Sequence, residues 1–116
     1  MTQALVAAVV VLGTVAVLTA MSMSANRRYA TQLRLPMQWG LDGSVNWTAP
    51  RKLALAFTPV LAAICLVTVA AAAAFVKPRL GQEDLLLPVV IFCAVVFLGA
   101  HTLHLWLIQR ALRKQR

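Results

Sequence analysis

Three long stretches of the chain carry no charged side chain. They run from Met1 to Asn26, from Leu53 to Val76 and from Leu85 to Gln109, and they hold 26, 24 and 25 residues. About 20 helical residues cross the ~30 Å hydrocarbon core of a bilayer, so each stretch is long enough to span one. Only helices and closed barrels span lipid, and these runs are too long and too unalternating for barrel strands. The sequence therefore predicts an all-α integral membrane protein with three transmembrane helices and a long ordered first loop.

Composition supports this class and bounds the number of domains. Hydrophobic residues make up 61% of the 116 residues and charged residues 12%, whereas soluble domains carry roughly 25% charged residues. A chain of this length forms one domain at most. We expect a single membrane domain over 1–116. Its predicted parts are helices at about 3–25, 53–76 and 85–109, a loop at 27–52 and a basic tail at 110–116.

The first apolar run has a second interpretation as a secretory signal. A signal peptide begins with a positively charged segment, and Met1, Thr2 and Gln3 have no charged side chain. We therefore interpret the run as a retained first helix.

The distribution of basic residues predicts partners and orientation. The net charge is +8, and the basic residues form short clusters beside apolar runs without a nucleic-acid-binding motif. We expect them to meet anionic lipid headgroups rather than nucleic acid. Nine of them lie in the first loop and the C-terminal tail, and only Lys77 and Arg79 lie in the second loop. The positive-inside rule then predicts a multi-pass membrane protein with the first loop and C-terminus in the cytoplasm and the N-terminus outside.

Two histidines lie inside the third predicted helix. His101 and His104 are three residues apart and share one helix face, about 13 and 9 Å inside Arg110. One interpretation is a neutral histidine bonded to a helix carbonyl or a nearby hydroxyl. The candidate hydroxyls are those of Thr58, Thr68 and Thr102. The other is a haem ligand, a quinone contact or a proton relay, because ionisable groups at this depth are often functional.

Neither metal binding nor catalysis is expected. Cys65 and Cys93 fall within predicted spans, and the chain has no Cys-x-x-Cys or histidine spacing of a closed zinc site. It also has no nucleophile–base pair, phosphate loop or carboxylate pair. We predict a protein that is not an enzyme, with no metal and no cofactor.

Two prolines fall inside predicted helices. Pro88 lies in the first turn of the third helix, where a missing N–H does no harm. Pro59 lies early in the second helix, where it should kink the helix or free a backbone carbonyl.

The first loop is long for a connection between packed helices, and such loops are usually functional or disordered. Two tryptophans and a tight Asp42-Gly43 turn, in which glycine takes a positive φ, argue against disorder. We expect the turn to bring Trp39 and Trp47 together, with their rings against the ends of the first and second helices. Gln38 should then bond to loop backbone or to the start of the second helix. The alternative is a linker that hugs the membrane surface, with both tryptophans at the interface.

The loop residues also follow a recognisable order. The run reads Pro36-x-Gln38-Trp39-x-x-x-Gly43-x-x-Asn46-Trp47. It resembles the loop in the N-terminal domain of the sporulation-delaying-protein immunity family. In that family Pro-x-His-Trp (or Phe) is followed by Gly, a polar residue and an aromatic, and then by a basic residue at the second helix.

Further residues agree with the resemblance, which covers about residues 1–109. Arg51 and Lys52 match the basic step, Pro59 matches a proline common early in the second helix, and the third helix ends in histidine. The short Lys77-Pro78-Arg79 turn also fits. The chain departs from the family in two ways: Gln38 replaces the motif histidine, and the second membrane half of full-length members is missing.

Members of this family protect a producer cell from a secreted toxin and sequester a regulator at the membrane. The resemblance implies an immunity-like or accessory subunit of the bacterial inner membrane, which packs against another membrane protein or a second copy. The 35–52 loop would be its recognition element. The candidate binding residues are Pro36, Gln38, Trp39, Asp42, Gly43, Asn46 and Trp47. The alternative is a subunit of a membrane redox or transport complex that contributes His101 or His104 to a haem, quinone or proton site.

Overall fold

The computed structural model describes residues 2–75 and 85–114 and contains three long helices and one β-hairpin. The elements are α1 (Thr2–Arg28), β1 (Arg34–Trp39), β2 (Val45–Pro50), α2 (Arg51–Phe75) and α3 (Leu86–Lys114). Each helix is long and apolar enough to cross a membrane, which confirms the three predicted helices. The chain is mostly helical, as predicted, and the first loop, which was expected to be ordered, contains the hairpin.

The element boundaries differ from the predicted ones at the basic ends. α3 continues to Lys114, so most of the expected basic tail is helical. The last turns of α1 and α3 each carry two basic residues, which interact favourably with the negative end of a helix dipole. The expected Lys77-Pro78-Arg79 turn lies outside the described residues.

The helices pack against one another through two groups of buried side chains, many of them small. The group near the hairpin comprises Ala25, Leu35, Ala49, Ala54, Leu55, Leu105 and Ile108. The other comprises Ala7, Val11, Leu18, Ala62, Leu66 and Val90. Small residues allow close approach of helix backbones. Large apolar side chains such as Phe57 and Phe92 point outwards, as expected where lipid replaces water.

The hairpin is antiparallel and is attached to the bundle mainly through β1. Leu35 pairs with Ala49, and both side chains are buried. Only Ala49 of β2 is buried, so β2 forms the outer strand. Gly43 has a φ of 84°, which confirms the predicted turn with a glycine in the left-handed region. The hairpin therefore lies on the bundle with one strand inside and one outside.

Candidate functional site

The hairpin turn is organised around one carboxylate. Asp42 Oδ1 accepts hydrogen bonds from the Ser44 hydroxyl at 2.7 Å and from the Ser44 N–H at 3.1 Å. These two donors lower the pKa of Asp42 below its ordinary value, because they stabilise the ionised form. A Cβ at Gly40 would lie 2.9 Å from the same oxygen, so a side chain there would displace the carboxylate. The turn thus depends on Gly40, Asp42, Gly43 and Ser44 together.

Trp39 joins the hairpin to the third helix. Its ring meets the His104 ring edge to face, with centroids 5.9 Å apart and an interplanar angle of 82°. Pro36 is buried, and its backbone carbonyl also lies next to the His104 ring. The loop motif and the intramembrane histidine, treated separately in the sequence, are therefore parts of one site.

The turn brings the positions of the two tryptophans close together, since Trp39 and Trp47 stand on paired strands. Trp39 packs on His104 and on the buried group near the hairpin, whereas Trp47 is half exposed. Trp47 is the cross-strand partner of Gln38, whose side chain is exposed. The register shifts on both sides of Gln38, so the strands do not alternate regularly here. Within the described residues the Gln38 side chain makes no hydrogen bond, so its expected bond to loop backbone or to the second helix is not seen.

The remaining loop residues divide between the turn and the exposed surface. Asn46 is exposed, as are Asp42 and Gly43. The structure thus brings Pro36 and Trp39 to His104 and leaves Asn46 on the outside.

His101 lies at the centre of a three-helix hydrogen-bond cluster. Its side chain is fully buried, and its Nε2 lies 2.8 Å from Ser22 Oγ of α1. The same hydroxyl donates to the backbone carbonyl of Leu55 in α2, at 2.6 Å. Because a hydroxyl has one hydrogen, the His101 Nε2–H must donate to Ser22, and the neutral ring then carries its lone pair on Nδ1. His101 Nδ1 is buried and has no hydrogen-bond partner in the described part of the chain.

Pro59 explains why the Leu55 carbonyl is available. In a regular helix this carbonyl would accept from the N–H of residue 59, and proline has none. The predicted freed carbonyl is therefore confirmed, and Ser22 satisfies it across the helix interface. His101 bonds to a hydroxyl, as one interpretation predicted, but the hydroxyl is that of Ser22 and not of a threonine. Thr68 and Thr102 donate to carbonyls four residues earlier in their own helices.

Like Ser22, Arg51 has a role in the structure that the sequence did not indicate. Its Nη1 donates to the carbonyls of Ala30 and Gln32 at 2.7 and 2.8 Å, with the Tyr29 carbonyl at 3.3 Å. Its Nε donates to Asn26 Oδ1 at 2.7 Å. The guanidinium therefore fixes the end of α1 and the segment that leads into β1. The sequence placed Arg51 at the basic step before the second helix but gave no sign of these hydrogen bonds.

His104 has one nitrogen without a partner as well. Its Nε2 is buried and makes no hydrogen bond to any described residue. Across residues 2–75 and 85–114 no group of three or more His, Cys, Asp or Glu side chains is placed to hold a metal ion. The site is thus a packed aromatic and hydrogen-bonded cluster with two free imidazole nitrogens.

Comparisons of the chain with protein-family models, with curated proteins and with solved structures found no match. Membership of the sporulation-delaying-protein immunity family therefore stays a prediction from the loop residues.

Proposed function

We propose that this chain is a non-enzymatic binding subunit of the bacterial inner membrane, with the hairpin as its recognition element. One observation carries the proposal: the hairpin is fixed to the bundle mainly through β1 and presents exposed apolar side chains at its tip and on β2. The three long apolar helices support insertion in a membrane. The partner is another integral membrane protein or a second copy of the chain.

The inner side of the hairpin is firmly attached. Leu35 and Ala49 are buried, Trp39 packs on His104, and Arg51 fixes the preceding segment. A recognition element that is already ordered loses less conformational entropy on binding. These contacts therefore favour a binding surface over a flexible tether.

The outer side has the composition of a binding surface. Leu41 at the tip is fully exposed, and Trp47 is 51% exposed. Gln38 and Asn46 are exposed beside them and supply amide donors and acceptors. Exposed tryptophans surrounded by polar groups are typical of the residues that dominate binding energy at interfaces.

The immunity-like role rests on the family resemblance, and the orientation rests on the charge distribution. Both basic helix ends, at Arg27 and Arg28 and at Arg113 and Lys114, belong to the side predicted to be cytoplasmic. The hairpin then meets its partner in the cytoplasm or at the cytoplasmic membrane surface.

Affinity purification in a mild detergent tests the proposal. Trp47→Ala should reduce recovery of a co-purifying membrane protein, because it removes exposed binding area without touching the bundle. Phe92→Ala is the matched control, since Phe92 is an exposed aromatic on α3 far in sequence from the hairpin. Equal recovery with wild type and Trp47→Ala, or equal loss with both variants, would contradict the hairpin's role.

The free imidazole nitrogens favour a second candidate, a redox or transport subunit. His101 Nδ1 and His104 Nε2 are buried and unbonded within the described residues, so either is chemically able to bind a ligand or carry a proton. An absorbance spectrum of the purified protein distinguishes the two candidates. A haem band that disappears in His101→Ala or His104→Ala would favour the second, and a colourless protein with a hairpin-dependent partner the first.

A further inference from the structure

A cavity of about 440 Å³ lies between the ends of α1 and α3. Its wall includes two arginines, Arg28 and Arg113, and two glutamines, Gln32 and Gln109. Thr31 adds a hydroxyl, and Leu112 adds an apolar patch. We call it the basic cavity.

The basic cavity offers many hydrogen-bond donors and two positive charges. Each guanidinium has five N–H donors in a planar fork that matches phosphate oxygens, and the glutamine amides add further donors. The Arg28 guanidinium lies 5.5 Å from the centroid of the Tyr29 ring, which stacks against it and restricts its position. This chemistry suits a ligand with several acceptor oxygens and a negative charge.

The described residues supply no carboxylate to this cavity. Asp42 is the one acidic side chain in residues 2–75 and 85–114, and it lines a different cavity beside Arg110 and Lys114. Asp42 is also bonded to Ser44. Within the described structure, Arg28 and Arg113 therefore line the same cavity with no acidic residue to compensate their charges.

A helix C-terminus ordinarily disfavours anions, because its last carbonyls carry partial negative charge. Arg51 donates to the carbonyls of Tyr29, Ala30 and Gln32, which directly follow the end of α1. Its positive charge therefore lies close to this helix end and offsets part of the negative charge there.

The position along α3 indicates the source of the anion. Trp106 is half exposed and stacks with Arg110, whose guanidinium carbon lies 5.4 Å from the ring centroid. Such an aromatic marks the boundary between acyl chains and headgroups. Arg113 lies seven residues further, about 10 Å along the helix, on the headgroup side of this boundary.

We propose that the basic cavity binds the phosphate of an anionic phospholipid headgroup, with Arg28 and Arg113 as its principal donors. The proposal depends on membrane insertion and not on the hairpin's partner. Anionic lipids are concentrated in the leaflet to which basic helix ends are drawn. The polar wall holds the phosphate, and Leu112 contacts the start of an acyl chain.

The test titrates purified full-length protein in a non-ionic detergent with diacyl phosphatidylglycerol and counts bound lipid by native mass spectrometry. The double variant Arg28→Gln/Arg113→Gln should lose about tenfold or more in affinity, because it removes charge-assisted hydrogen bonds. The matched control, Arg27→Gln/Arg110→Gln, removes the same charge from the same helix ends outside the cavity. This control should bind phosphatidylglycerol with an affinity within about threefold of wild type.

Two further arms separate the alternatives. Phosphatidylcholine carries a choline cation that balances the charge of its phosphate, so it should bind more weakly than phosphatidylglycerol. Inorganic phosphate should not displace the bound lipid. Equal losses in the two double variants would overturn the proposal in favour of a diffuse basic surface. Displacement by inorganic phosphate would overturn it in favour of a site for free phosphate. If the glutamine variant does not fold, the variant Arg28→Lys/Arg113→Lys replaces it in the test. It keeps both positive charges and should show a smaller loss of phosphatidylglycerol affinity than the loss expected for the glutamine variant.

Discussion

Ser22 satisfies groups on two other helices through one hydroxyl. It donates to the Leu55 carbonyl that Pro59 leaves without a helical partner, and it accepts from His101. Each of these groups is buried in apolar surroundings, where an unbonded polar atom costs more than a bonded one gains. Ser22 is thereby the residue that allows α2 to carry a proline and α3 a buried histidine.

Replacement of Ser22 therefore has a larger effect than its size suggests. We expect Ser22→Ala to lower the free energy of unfolding by about 1–3 kcal/mol, because it leaves the Leu55 carbonyl and His101 Nε2 without partners. Thermal unfolding in detergent, followed by circular dichroism, measures the change. Ser24→Ala is the control, since Ser24 is exposed on the same helix. Equal stabilities for the two variants would show that the cluster does not hold the helices together.

Asp42 gives a pH dependence to the hairpin turn. Its pKa is lowered from 3.8 by the two hydrogen bonds from Ser44. A carboxylate with a lowered pKa contributes stability that is fully present above its unfolded pKa and is lost as pH falls through the folded pKa. We expect the Ser44 amide resonance to be constant at neutral pH and to shift with a midpoint below 3.8. A midpoint above that value would contradict the hydrogen-bonded turn, and Asp42→Asn should abolish the titration.

The hairpin is an element whose turn was predictable and whose strands were not. Asp42-Gly43 is a strong turn signal, and Gly43 has the positive φ that the signal implies. The strands contain Pro36 and Pro50, residues that are uncommon in sheets except at edges and strand ends. The register is also irregular between Pro36 and Trp39, so no clean alternation of apolar and polar residues marks the strands in the sequence.

A substitution at Gly43 tests whether the conformation of the hairpin matters for partner binding. Gly43→Val places a β-branched residue at a φ of 84°, which costs about 1–2 kcal/mol and should distort the turn. We expect weaker partner recovery with unchanged membrane insertion, because no helix is altered. Gly99→Val is the control, since a Cβ at Gly99 meets no other atom within 4 Å. Normal recovery with Gly43→Val would indicate that the loop serves only as a tether.

Arg51 fixes the connection between α1 and the hairpin, and its role was hidden for a physical reason. A guanidinium that binds backbone carbonyls needs no particular partner residue, so nothing in the sequence marks it. The same is true of the contact between Trp39 and His104, which are 65 positions apart. A partner of the Ser22 kind was predictable, because Pro59 implies a free carbonyl and Ser or Thr side chains of neighbouring helices commonly satisfy such groups. Which hydroxyl does so depends on the packing of the helices.

At the scale of the whole molecule the uncharged stretches predicted the helices well, because spanning lipid imposes a length that few other folds require. The packing of the helices was not predictable, since the small residues that permit close approach occur on several faces. The pairing of His101 with Ser22 depends on that packing. The polar site therefore needed the structure, although each of its histidines was visible in the sequence.

The orientation can be measured independently of any partner. In a protein with Cys65 and Cys93 replaced by alanine, a single cysteine introduced as Ser44→Cys should resist an impermeant thiol reagent in intact cells. The reason is that the excess of basic residues keeps the hairpin side in the cytoplasm. Labelling should become complete after the membrane is permeabilised. Ready labelling in intact cells would reverse the orientation and expose the hairpin to secreted molecules.

The central claim is that the exposed hairpin surface contacts a protein partner while the helices contact lipid. Site-specific photocrosslinking in intact membranes tests it directly, with the reactive residue at Trp47, at Leu41 or, as the lipid-facing control, at Phe92. The account predicts one discrete protein adduct, with a membrane protein or a second copy, from Trp47 and Leu41 and none from Phe92. Adducts with lipid alone from all three positions, or the same protein adduct from Phe92, would contradict it.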